Sequence, residues 1–323
     1  MFENFSFPIG SWVSVVVDWI RDNLKGLLDL ISTVVGFLVE GLADLLIAPP
    51  AIVMILIFAL IAWAVRSWQL AVGTVVMFVL IIGVDQWDTA MQTLALVLIA
   101  TLVTIVIAIP VGIWAARNDT VSAIVKPILD FMQTMPALVY LIPVIVFFSI
   151  GFVPGVIATV IFSFPPGVRL TELGIRGVDA ETVEAGHAFG ATPSQVLRGI
   201  QLPQAMPTIM TGVNQVIMLA LSMAVIAGMA GADGLGKEVV AALSTIDVAK
   251  GVDAGLSVVF IAVYLDRVTA AAGTPSDYRS SLLGILSRRR AQRRAAAADA
   301  EAAAVAARQD ADVAVARGNR QPY

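Results

Sequence analysis

The chain has 323 residues, 59% hydrophobic and only 14% charged, with a mean hydropathy of +0.89. A soluble domain carries about 25% charged residues; here the charges vanish from long stretches and gather between them, as in an integral membrane protein. With 20 basic and 24 acidic side chains there is no basic face for nucleic acid, the absence of cysteine excludes disulfides and thiolate metal sites, and one histidine, His187, cannot build a multi-histidine metal site.

Residues 11–47 are apolar but interrupted. Asp18, Asp22, Lys25, Asp29, Ser32, Gly36 and Glu40 recur every three or four residues, which draws a polar stripe down one helical face. The stripe predicts an N-terminal amphipathic helical region over 1–48 that lies in the membrane interface or packs on other helices. A spanning helix is the alternative, at a cost of about a few kcal/mol for each charge buried in lipid. No basic leader of a cleavable signal peptide stands before it.

After Pro49-Pro50 the apolar segments lose their charges. Seven follow, at 51–65, 69–84, 91–115, 128–150, 153–165, 207–231 and 255–272, and each is read as a crossing. The fourth and fifth are one apolar stretch broken at Gly151, Pro154 and Gly155, a composition that suits a tight turn. Arg66, Arg117, Lys126, Arg169, Arg176, Arg198, Arg279 and Arg288–Arg290 all fall on one side of these crossings. By the positive-inside rule, segment 166–206 and the C-terminus are cytoplasmic and the N-terminus is outside. The central parts of the spans are read as free of ionisable residues, which disfavours a proton-coupled carrier.

Gly231 to Glu238 nearly spells a phosphate-binding loop, but Glu238 replaces the magnesium-binding hydroxyl and no strand precedes it. It reads as a glycine-rich turn at the outer surface. Met210, Met218, Met223 and Met229 have the spacing of helix packing rather than of a cofactor box. The stretch 273–323, rich in Ala and Arg, has too few large apolar residues for a core and reads as a disordered or frayed cytoplasmic tail whose basic start can touch lipid headgroups.

The informative segment is 179–203. Asp179 to Phe189 reads as a short helix, Gly190 as a turn that needs unusual backbone angles, and Thr192-Pro193 as the cap and first turn of a second helix. Leu202-Pro203 is expected to end that helix. Within this unit stand Glu184-Ala185-Gly186-His187-Ala188-Phe189-Gly190, nine further residues, then Ile200-Gln201-Leu202-Pro203.

This arrangement resembles the "EAA" motif of ATP-binding-cassette (ABC) importer permeases, with Gly186 where that family usually has its second alanine. Further stretches, Asp130 to Pro143, Phe152 to Val160, Pro165 to Thr171, Gly212 to Gln215, Ala220 to Met223 and Leu265 to Arg267, look like the glycine betaine/proline-type permeases.

The resemblance implies an all-α type I ABC importer transmembrane domain over 49–272, in a bacterial or archaeal cytoplasmic membrane. Its coupling segment seats in a separate ATPase through Glu184, Ala185, Gly186, His187, Ala188, Phe189, Gly190, Ile200, Leu202 and Pro203. The chain would be a non-catalytic subunit that binds no cofactor, because two ATPase partners would hold ATP and magnesium. A second copy of the chain and a separate solute-binding protein complete the implied partners, and the chain ends too soon for a fused binding domain.

Gln133, Thr134, Asn214, Gln215 and Ser222 are polar positions in apolar spans, open to two readings: helix–helix hydrogen bonding or the lining of a solute path. Trp87, Trp114, Phe131 and Tyr140 could present aromatic faces to a quaternary ammonium. A sodium-coupled carrier, or an ABC permease for amino acids, choline, carnitine, metals or sulfonates, is the competing assignment.

Overall fold

The computed structural model describes residues 8–273. The tail expected beyond 273 lies outside the described residues, and among those described there is no strand. The chain folds into helices α1 (Ile9–Asn23), α2 (Lys25–Ile47), α3 (Ala51–Val65), α4 (Trp68–Gly83), α5 (Trp87–Arg117), α6 (Asp119–Thr134), α7 (Ala137–Phe148), α8 (Phe152–Arg176), α9 (Ala180–Ala188), α10 (Pro193–Val196), α11 (Leu202–Ala227), α12 (Leu235–Thr245) and α13 (Val248–Gly273).

Among the described residues, five helical runs are long and apolar enough to cross a membrane. They are α2, α5, α8, the run Pro193–Ala230 and α13; α6 and α7 together add a sixth if their bend lies within one span. Several sequence boundaries change. The apolar run 11–47 divides at Leu24, and its second half, α2, is long enough to cross while burying Val35, Val39, Ala43 and Leu46. The stretch 128–150 is no straight span, because α6 and α7 meet at 97° around Met135-Pro136. The run that starts at 153 does not stop at Pro165 but continues through Pro165-Pro166 to Arg176. Membrane helices tolerate such prolines where neighbouring helices satisfy the freed backbone groups.

The centre of the bundle is α8, held between α5 and α11. Lipid supplies no hydrophobic drive between helices, so small residues that let backbones approach supply the packing. A Cβ added at Gly112 of α5 would lie 2.7 Å from the Val168 carbonyl oxygen and 2.6 Å from Thr171 Cβ. One added at Gly167 of α8 would lie 2.9 Å from Ala108 Cβ. The Thr104 and Ser163 hydroxyls, both buried, meet at 3.2 Å between α5 and α8. On the flank, Phe58, Phe78 and Tyr264 stack at centroid distances of 5.0–5.5 Å and join α3, α4 and α13.

Polar contacts define the two ends of the bundle. At one end Arg66 donates to the Arg267 carbonyl (3.4 Å), and Arg176 donates to the Ala115 carbonyl (2.9 Å). At the other, the Gly151 N–H donates to the Ala230 carbonyl (3.1 Å) and the Leu235 N–H to Thr93 Oγ1 (2.8 Å). Among the described residues, Arg66 and Arg176 thus lie at the end opposite the glycine-rich turns.

Candidate functional site

At the basic end the chain leaves α8, turns, and builds a projecting pair of short helices over 179–203. Gly177 and Val178 close the end of α8 through N–H bonds to the Leu173 and Ile175 carbonyls. Asp179 then caps α9. Its carboxylate accepts from the Thr182 hydroxyl (2.9 Å) and N–H (3.1 Å), which hold it below the usual carboxylate range. At the far end of α9 the Phe189 N–H returns to the Ala185 carbonyl. Gly190 adopts φ +81°, and the Ala191 N–H reaches back to the Gly186 carbonyl. A side chain with a Cβ at that φ meets its own backbone, which is why glycine stands there.

Thr192 caps α10 with a reciprocal capping box. Its hydroxyl accepts the Gln195 N–H while the Gln195 side chain accepts the Thr192 N–H, and Pro193 fills the first turn. Leu202-Pro203 does not end this helix, contrary to the expectation from sequence. The backbone widens to a π turn over Leu197–Gln201, with the Leu202 N–H bonding to Leu197 O, and runs on into α11. The longer bond carries the chain past Pro203, which has no N–H to donate.

The motif residues divide by role. Glu184, Ala185, His187, Ala188, Phe189 and Gly190 are exposed on the projecting side, and the Phe189 ring is 92% exposed. Gly186 and Ile200 face inward and touch: a Cβ on Gly186 would lie 2.6 Å from Ile200 Cδ1. Glycine in place of the family's alanine therefore lets α9 lie closer on the π turn. The base of the unit is apolar. Leu197 is buried with Ile175, Ala205 and Ile209, and Val178, Leu202, Ile109, Ile113 and Ala116 pack around them. Pro203 is exposed at the start of α11. A cleft of about 260 Å³ separates α9 from the end of α8, with Arg176 and Glu184 in its lining.

The five polar span positions do not form one cluster. Asn214 is used up between helices: it donates to Asp266 (2.9 Å) and accepts from the Thr269 hydroxyl (2.7 Å), joining α11 to α13. Asp266 lies in the C-terminal third of α13, away from the central part of that span. A lone carboxylate there would be costly, and the amide beside it supplies the hydrogen bond it needs. Gln215 and Ser222, by contrast, are exposed with Thr211 and Met218 on one stripe of α11. Gln133 and Thr134 are exposed at the α6–α7 elbow. Of the aromatic candidates, Trp87 packs on Phe78 at 6.2 Å and Tyr140 is buried, its hydroxyl donating to the Met132 carbonyl; Phe131 and Trp114 stay exposed.

The phosphate-loop look-alike is a turn. Gly231 and Gly234 both have positive φ, the Leu235 N–H is taken by Thr93, and Lys237 pairs with Asp233 at 2.6 Å. Among the methionines, Met223 is fully buried whereas Met218 and Met229 are exposed.

Sequence reasoning missed a charged cluster at the root of the unit. Glu172, with a side chain 5% exposed, accepts from Ser122 (2.7 Å), Lys126 (3.2 Å) and Arg176 (3.0 Å). The i, i+4 spacing of Glu172 and Arg176 was its visible signal, hidden because 166–206 reads as a loop rather than the end of a helix.

The fold is thus a helical bundle of apolar, membrane-length helices with a capped double-helix projection at its basic end. The chain belongs to the family described as binding-protein-dependent transport system inner membrane component, whose model matches residues 108–270. It is 45% identical to the glycine betaine/proline betaine transport system permease protein ProW of Escherichia coli (strain K12), over 87% of this chain and 79% of that protein. It is 48% identical to the glycine betaine transport system permease protein OpuAB of Bacillus subtilis (strain 168), over 81% of this chain and 93% of that one. Glycine betaine/carnitine transport permease protein GbuB of Listeria monocytogenes is 46% identical over 82% and 95%. Among solved structures, an inward-facing form of the MetNI methionine ABC transporter aligns with a TM-score of 0.49 at 23% identity, over 56% of this chain and 89% of the other.

Proposed function

We propose that this permease forms the translocation path of an ATP-driven importer for glycine betaine and related compatible solutes. The projecting unit at 179–203 carries the reading: a rigidly capped knob with an exposed aromatic tip, standing at the basic end of the bundle. The positive-inside rule puts that end in the cytoplasm, where an ATPase can reach it. The identities of 45–48% to betaine permeases support the cargo.

Two copies of the chain frame one path and present two knobs to two ATPase subunits, and a separate binding protein delivers solute at the outer end. ATP and magnesium are held by the ATPase partners, so the chain itself does no chemistry. When the ATPases close on nucleotide, Phe189 and the small residues beside it follow, and α8 and α11 carry the motion into the membrane. Thr211, Gln215, Met218 and Ser222 on α11, with Gln133 and Thr134 at the elbow, are the surfaces offered to the path. The quaternary ammonium can rest on an exposed aromatic face such as Phe131 without losing hydration to a buried charge.

The test is uptake of radiolabelled glycine betaine by proteoliposomes that hold permease, ATPase and binding protein. ATP-dependent accumulation well above an amino-acid control is expected. Equal accumulation of the two overturns the cargo, and failure of the ATPase to co-purify with the permease overturns the coupling role.

A further inference from the structure

The charged cluster beside the knob extends into a ladder. Along the cytoplasmic half of α8, three positions one or two turns apart each reach across to α6. Arg176 pairs with Asp119 at 2.7 Å, Glu172 takes Ser122 and Lys126, and Arg169 pairs with Asp130. As α6 runs from 119 to 130 its partners run from 176 back to 169, so the two helices lie antiparallel. Between the charges, buried Leu129 and Val168 sit in one apolar cluster. In the middle rung the Glu172 carboxylate is buried, with three donors converging on its Oε1, while the Lys126 side chain is 55% exposed; the outer rungs are open, with Asp119 91% and Asp130 65% exposed at the side chain.

What lies at each end of the ladder gives it a use. Arg176 is three residues from Asp179, where the knob begins, and the intervening turn is closed by backbone bonds. At the other end, Asp130 is four residues from Thr134, where α6 bends by 97° into α7. The bend is braced: Tyr140 of α7 donates to the Met132 carbonyl of α6, and Thr134 donates to the Phe131 carbonyl. Helix α6 packs chiefly onto α5 and α8, and α7 packs onto α8 and α11. Motion of the knob therefore reaches the α7 arm of the elbow by direct packing on α8 and α11, and the α6 arm through α8 and these rungs.

We propose that the α6–α8 ion-pair ladder is the linkage that makes the elbow at Gln133–Ala137 move with the knob, with Glu172 as its central positioning residue. The inference rests on the coupling role proposed above. Buried charge pairs hold geometry firmly because a partial separation strands a charge without its partner. An apolar contact alone would let α6 slide along α8; the rungs fix its register.

The outermost rung can be inverted without disturbing the buried one. Arg169→Asp and Asp130→Arg each put like charges together, and the double swap restores an opposite pair. In the reconstituted complex, each single variant should still co-purify with the ATPase. Its uptake of labelled glycine betaine per ATP hydrolysed should fall by about tenfold, and the double swap should recover most of that loss.

Because the chain has no cysteine, Thr134→Cys and Gly199→Cys can carry spin labels that report copy-to-copy distances at the elbow and at the knob. With the ladder intact, both distances should change on adding nucleotide. With either single charge reversal, only the knob distance should change. An elbow that follows the knob despite a reversed rung overturns the proposal, as does a double swap no better than the single variants. A knob that stays still with the ladder intact overturns the coupling role itself, and the linkage with it.

Discussion

The knob at 179–203 and the bundle formed by α5, α8 and α11 are both built around glycine, but for opposite reasons. In the knob, Gly190 is exposed with nothing near its absent Cβ, and glycine is needed for φ +81°. In the bundle, Gly112 and Gly167 have ordinary helical backbone, and glycine is needed because a neighbouring helix occupies the space of a Cβ. One region is fixed by its own local hydrogen bonds, the other by contacts across more than fifty residues of sequence. The proposed coupling role needs both: a shape that survives docking and undocking, and a body stiff enough to receive the push.

Four substitutions can break or sharpen this contrast, and the largest effect is expected in the bundle. Gly112→Leu drives a side chain into the Val168 carbonyl and Thr171, where backbone cannot yield. A loss of about 3 kcal/mol of stability is expected, seen as a lower melting temperature and poor monodisperse yield in detergent. Phe189→Ala removes a side chain that is almost fully exposed in its own chain. The melting temperature of the isolated permease should not change, while binding to the ATPase should weaken by about 2 kcal/mol. Gly190→Val strains the turn by about 1–2 kcal/mol. Membrane insertion should be normal, but ATP hydrolysis should continue with uptake largely lost. Gly186→Ala should matter least, since its new methyl crowds the end of the flexible Ile200 side chain and otherwise meets Val196 Cγ2 at an ordinary 3.4 Å; uptake within about twofold of the parent is expected. A severe loss there would show that Ile200 cannot move and that α9 is locked more tightly than its exposed surface suggests.

The same contrast explains what could be read before the structure. The knob was legible in outline, because capping by Thr192, the proline at 193 and the glycine turn at 190 are all local chemistry. The spans were legible as apolar runs, and α3 occupies 51–65 as drawn. The ends of runs misled wherever tertiary contacts override local signals. Pro165-Pro166 looks like a stop but lies buried between α5 and α11; Leu202-Pro203 looks like a stop but is bypassed by the π turn. Asn214 looked like a candidate for the solute path, and only its meeting with Asp266, 52 residues on, shows that it is spent on joining helices. The ladder was invisible because its partners come from segments far apart in sequence, the stretch before and at the start of the 128–150 run and the segment 166–206.

The widened turn at Leu197–Gln201 has a mechanical consequence of its own. Successive residues of an α-helix step around its axis by about 100°, and a π turn slips one extra residue into that count. The azimuth of everything beyond it is thereby shifted by about a quarter of a revolution. The direction in which the aromatic tip points, relative to the side of α11 that meets α8, is thus indexed by a single residue of backbone. Removing one residue between 197 and 201 would re-aim the docking surface while leaving every side chain on both surfaces in place, like a splined shaft reassembled one tooth off.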